Sequence, residues 1–108
     1  MKLYIGGAFQ GQYELAVSEN PDAVILKDFH ETVYAAVLKG YDPCSFAANV
    51  FTEHPQAIVV ANEVGSGIVP VSAEDRAYRE AIGKALCIIA QNSDSVTRVV
   101  CGIGMRIK

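Results

Sequence analysis

The chain has 108 residues, a formal net charge of −3 and a hydrophobic content of 51%. That composition excludes intrinsic disorder and fits one domain, 1–108, with one real core. The nine basic residues are scattered and no apolar run approaches a membrane span, so neither nucleic acid nor a bilayer is an expected partner.

Lys2-Leu3-Tyr4-Ile5 reads as a first strand, and no charged-then-apolar leader precedes it, so a cytoplasmic setting is expected. Gly6-Gly7-Ala8-Phe9-Gln10-Gly11-Gln12-Tyr13 follows directly, and Glu14-Leu15-Ala16-Val17 then suggests a helix. Strand, glycine turn, helix is the context of a phosphate-binding loop. Gly6 and Gly11 match the spacing of G-x-x-x-x-G-K-[ST], with Gly7 between them. Gln12 stands where a lysine would reach terminal phosphates, and Tyr13 where a small hydroxyl would ligate magnesium. Backbone N–H groups can still hold an anion there, but the fixed cation that stabilises a transferring phosphoryl group is gone.

Asn20-Pro21-Asp22 signals a turn before a second strand at 23–27. Asp28 then has two open readings, a strand-end carboxylate holding a metal through water or a cap for the next helix. That helix carries Val33, Ala36 and Val37 at helical spacing from His30 to Leu38, and Gly40 closes it. Asp42-Pro43 opens a further helix with Ala47, Val50 and Phe51 on its apolar face, and His54-Pro55 ends it. His30 and His54 both read as surface helix residues.

Residues 57–61 form an apolar, partly β-branched run that reads as a strand buried on both faces. It delivers Asn62 and Glu63 to a loop in which Gly65 and Gly67 bracket Ser66. Polar residues at the carboxyl end of a buried strand are how open α/β sheets build sites. Ser72, with Asp75 three residues on, caps the longest helix, 72–92, whose apolar face is assigned to Ala77, Ala81, Ala85, Leu86, Ile88 and Ile89. Arg76, Arg79 and Glu80 share a polar side near its start. A strand at 96–101 follows, then Gly102-Ile103-Gly104 turns the chain into an antiparallel return at 105–107. Cys44, Cys87 and Cys101 form no Cys-x-x-Cys pair, so no zinc or redox motif is indicated. Cys87 and Cys101 lie in apolar segments and read as core residues.

The string Asn62-Glu63-Val64-Gly65-Ser66-Gly67-Ile68-Val69-Pro70 resembles a motif of the bifunctional adenosylcobinamide kinase / adenosylcobinamide-phosphate guanylyltransferase family of cobalamin biosynthesis. The likeness continues through Arg76, Arg79, Gly83 and the closing 99–108 stretch. It implies a three-layer α/β fold of the P-loop NTPase-like, RecA-like kind, with a mainly parallel sheet and a C-terminal edge hairpin. It also implies GTP or ATP with magnesium, a corrinoid substrate, and a trimeric ring with Arg79 near the nucleotide site. The family's loop carries the lysine and the Ser/Thr that Gln12 and Tyr13 replace. Its guanylylated histidine lies on a segment between the first helix and the second strand that this chain lacks. An Asn-Gln pair further along the long helix is replaced by Leu86 and Cys87. The expected function is therefore nucleotide-dependent phosphoryl and GMP transfer with catalysis weakened or lost, the cofactor being GTP or ATP with magnesium, or none. The alternatives are a non-catalytic oligomeric nucleotide- or corrinoid-binding or regulatory module, and an unrelated small-molecule enzyme using Glu63 and Asp28.

Overall fold

The computed structural model describes residues 1–63 and 72–108. Its elements are β1 (Lys2–Gly6), α1 (Gln12–Glu19), β2 (Ile25–Leu26), α2 (Phe29–Leu38), α3 (Pro43–Glu53), β3 (Ile58–Asn62), α4 (Ala73–Asn92), β4 (Ser95–Val100) and β5 (Ile103–Arg106). The strands form one sheet in the order β2-β3-β1-β4-β5. The first four run parallel and β5 returns antiparallel beside β4, giving a mixed α/β fold with a mostly parallel sheet.

The two central strands are apolar on both faces, and each face has its own cover. Leu3, Val59, Ala61 and Val96 pack with Phe29 and Val33 of α2, Ala47 of α3 and Ile82, Ala85 and Ile89 of α4. Tyr4, Ile58, Val60 and Val99 pack on the opposite face against Ala16 of α1. The Tyr4 hydroxyl donates to the Glu19 carboxylate at 2.6 Å and accepts from Asn20, tying β1 to the end of α1. Burial, with Glu19 alongside, pushes the Tyr4 phenol up from its ordinary value.

Local signals set the helix ends. The Asp42 carboxylate accepts from the Ser45 N–H at 2.9 Å, with Pro43 opening the first turn of α3. Ser72 caps α4 by accepting from the Asp75 N–H at 3.0 Å. Gly40 follows α2 at φ +92°, the left-handed geometry that glycine supplies at a helix end.

Several expectations are corrected. The second strand covers only Ile25–Leu26, because Val24 already faces solvent and pairing with β3 is confined to two residues. The β4–β5 turn is Cys101-Gly102, at φ +51° and +76°, a tight two-residue connection one step earlier than Gly102–Gly104. Cys101 is thereby exposed in a turn, and Cys87 is exposed because it sits one residue off the stripe of α4 that faces the sheet; neither is core. On α4 the buried positions are Ile82, Ala85, Leu86 and Ile89, whereas Ala77 is exposed. The helix supplies its buried positions from Ile82 onward, while nearer its start Tyr78 meets the Tyr34 ring of α2 at 4.6 Å.

Two outcomes are expected. Ile89→Ala, which empties a fully buried position between α4 and the sheet, should lower unfolding free energy by about 2–4 kcal/mol in urea titration. Asp42 is held below the usual carboxylate range, chiefly by the Ser45 N–H. Its cap is thus intact above the unfolded carboxylate pKa and is lost as pH falls through the lower folded value. The Ser45 amide resonance should shift on acidification in the wild type and stay flat in Asp42→Ala.

Candidate functional site

The chain leaves β1 through a turn to α1 on one face, and leaves β3 toward α4 on the other. β1 and β3 are neighbours, so the crevice outside their carboxyl ends is a topological switch point, where open α/β sheets bind ligands. Gly6 and Asn62 face each other there in register, and the Glu63 N–H extends the ladder to the Gly6 carbonyl at 2.8 Å. The residue 6–13 turn and the start of the Asn62 loop thus share one corner of the sheet. Gly65 and Gly67 lie outside the described residues.

Gln12 occupies the middle of that corner. It opens α1 yet is only 5% exposed, and its side chain folds back under the turn. The Gln12 Nε2 lies 3.1 Å from the Gly6 carbonyl, 2.9 Å from the Gly7 carbonyl, 3.0 Å from Asn62 Oδ1 and 3.5 Å from the Ala61 carbonyl. Four oxygens surround a group with only two hydrogens to give. This settles the amide orientation, since the flipped form would face oxygen against oxygen. The carbonyls of Gly6 at the end of β1 and of Gly7 in the turn both point at this amide. A Cβ on Gly6 would overlap the Val99 carbonyl of β4, so glycine is required there by close backbone approach. Gly11 caps α1 at φ +89°, packed against Gly102 of the β4–β5 turn. The Gly102 N–H donates to the Gln10 carbonyl at 2.7 Å, and the Cys101 N–H to Gln10 Oε1 at 2.8 Å. The turn is clamped from both sides.

Tyr13 projects from the first turn of α1, and the Lys27 ammonium lies 4.3 Å from its ring centroid. A cation is therefore present near the turn, but it rests on an aromatic face outside it. Asp28 sits at the N-cap position of α2 at φ +54°, and its side chain makes no cap bond, so the side-chain-cap reading of Asp28 is not what the structure contains. Glu63 pairs with Arg98 of β4 at 3.4 Å, a half-exposed contact worth at most ~1 kcal/mol. Arg79 pairs with Asp75 on its own helix at 3.2 Å. Among the described residues no group of three His, Cys, Asp or Glu side chains is placed to hold a metal.

His54 is exposed at the end of α3, as expected, but His30 is not a plain surface residue. Its Nδ1 accepts the Asn62 N–H at 3.0 Å, linking α2 to the residue that holds Gln12. With the Nδ1 lone pair engaged, the proton of the neutral ring sits on Nε2. Neither nitrogen then offers a lone pair for nucleophilic attack. Sequence reasoning missed this contact because it joins positions 32 residues apart; a histidine following a strand-end Asp was the only local hint.

The chain matches the family model described as cobinamide kinase / cobinamide phosphate guanyltransferase over residues 22–107. It is similar to the bifunctional adenosylcobalamin biosynthesis protein CobU of Salmonella typhimurium strain LT2, with 42% identity over 53 residues. The protein of the same name from Escherichia coli K12 gives the same figure over the same length. In each case the alignment covers 49% of this chain and 29% of the relative.

The Gln12 contacts predict a charge-specific response. Gln12→Glu puts a carboxylate among four oxygens and should cost about 2–4 kcal/mol at neutral pH by urea unfolding. The deficit should narrow below about pH 5, where a protonated carboxyl regains a donor. His30→Leu leaves the Asn62 N–H without its acceptor and should cost about 1–2 kcal/mol.

Proposed function

We propose a function for a chain that belongs to the cobinamide kinase / cobinamide phosphate guanyltransferase family: it is a family member whose phosphate turn is closed by its own glutamine, with phosphoryl and guanylyl transfer to corrinoids weakened or lost. One observation carries this reading, the Gln12 amide held by the turn's carbonyls and by Asn62. A P-loop-type nucleotide fold is supported by the glycine turn between β1 and α1 at a topological switch point.

The residues present do not fit a magnesium-bound ATP or GTP as a phosphoryl donor. Gln12 brings no charge and its donors are already committed. Tyr13 offers a bulky phenol where a compact hydroxyl would reach a metal. Lys27 is stacked on Tyr13 rather than aimed into the turn. Loss of a fixed cation at a transferring phosphoryl group costs orders of magnitude in rate. The geometry of His30 argues against its standing in as the guanylyl acceptor. The residues of this chain therefore hold the corner closed and exclude water from Gln12; no transfer step is assigned to them.

A second reading is a non-catalytic module that associates with itself or binds a corrinoid in the cytoplasm. The exposed apolar edge formed by Ile103, Met105 and Ile107 favours it. The two readings share one test. Thermal unfolding with millimolar magnesium-ATP or magnesium-GTP should shift Tm by less than about 1 °C, where saturating binding would give roughly 4–8 °C or more. Cobinamide should gain no phosphate from either nucleotide. Gln12→Lys combined with Tyr13→Ser should restore a nucleotide-dependent rise of several degrees. A wild-type protein that phosphorylates cobinamide would overturn the proposal.

A further inference from the structure

We propose that a basin on the α1 face of the sheet binds a small phosphate monoester through Lys2 and Arg106. The basin has a volume of about 250 Å³ and is floored by β1, β4 and β5. Register sets Tyr4, Thr97 and Arg106 side by side across these strands, with Lys2 beside Ser95 one pleat nearer the amino ends of β1 and β4. Strand alternation puts Lys2, Ser95 and Thr97 on the face where Tyr4 and Val99 pack against Ala16 of α1. Gly6 stands at the other end of β1, about 13 Å along the strand, so the basin is separate from the Gln12 corner. It stands whether or not that corner takes nucleotide.

The first helix leaves this part of the sheet bare. α1 has eight residues and ends at Glu19, which forms the rim of the basin. Gly104 keeps the floor low, since a Cβ there would come 2.8 Å from Leu15 Cδ2 and 3.0 Å from Thr97 Cγ2.

The unspent donors name the ligand. The Lys2 Nζ gives one hydrogen to Asn20 Oδ1 at 3.2 Å and keeps two. The Arg106 Nε donates to the Lys108 main-chain oxygen at 2.8 Å, which orients the guanidinium. Among the described residues its two terminal NH₂ groups have no partner, and neither cation pairs with a side-chain carboxylate. The Ser95 and Thr97 hydroxyls likewise make no hydrogen bond among the described residues. Donors in such excess call for a group that only accepts. A phosphate brings three terminal oxygens and a charge near −2 to two cations, where a carboxylate brings two oxygens and one charge. Glu19 sets the other end of the ligand. One of its oxygens accepts the Tyr4 hydroxyl at 2.6 Å, and the other faces a hydroxyl or ammonium of the organic part.

Amide NMR titration at constant ionic strength tests the proposal, with inorganic phosphate, glycerol phosphate and acetate as probes. Inorganic phosphate should saturate with a Kd of about 0.1–1 mM, moving the Ser95, Thr97, Gly104 and Arg106 amides and leaving Gly6 and Gln12 still. Glycerol phosphate should bind more tightly, and acetate about tenfold more weakly. Arg106→Gln should weaken phosphate about tenfold or more, and Lys2→Gln should act in the same direction, which covers a misfolded Arg106 variant. Glu19→Gln should tighten inorganic phosphate roughly two- to fivefold by removing a like charge, and should erase the advantage of the ester. Shifts that do not saturate below about 20 mM, acetate as tight as phosphate, or titrations unchanged in both cation variants would overturn it.

Discussion

The corner where this protein's sheet meets its first helix depends on one side-chain amide. Gln12 gives its hydrogens to oxygens from β1, from the turn after it and from β3. A buried primary amide with good acceptors is neutral, compact and satisfied, and removing it would take a donor from the Gly7 carbonyl and from Asn62 Oδ1. The second anchor is Asn62, which accepts from Gln12 through its side chain and donates to His30 through its backbone. Gln12, Asn62 and His30 form a chain of hydrogen bonds from α1 across β3 to α2. The turn between β1 and α1 is thereby tied to β3 and, through it, to α2.

That arrangement sets the chemistry. A neutral amide meets the Gly6 and Gly7 carbonyls at this corner. The Lys27 ammonium rests against the face of the Tyr13 ring. On the far side of the sheet, the glycines that let the β4–β5 turn pack against Gly11 also bring Gly104 under Leu15. The apolar residues of β5 are left on the uncovered face.

Much of the architecture was legible in the sequence because it rests on local signals. The apolar run at 3–5, the partly β-branched run at 57–61, the Asp42-Pro43 and Ser72 caps, and Gly40 each fix an element within a few residues. The turn after β1 lies beside the start of the Asn62 loop because Gly6 and Asn62 pair in register. What was not legible is tertiary. Nothing in the neighbours of Gln12 says that its amide turns back under the strand, and its bonds to Asn62 span 50 residues. Cys101 sits in an apolar run that predicts a strand, yet the pairing of Val100 with Ile103 forces it into a left-handed turn. Alanine spacing put Ala77 on the core face of α4, but burial on that helix begins only at Ile82.

The central claim is that the Gln12 amide is already occupied by the protein's own oxygens, and NMR of that side chain reads it most directly. The two Gln12 NH₂ protons should exchange with solvent far more slowly than those of the exposed Gln56, and should not move when magnesium-GTP is added. Exchange as fast as Gln56, or a displacement of the Gln12 signals on titrating nucleotide, would contradict the account.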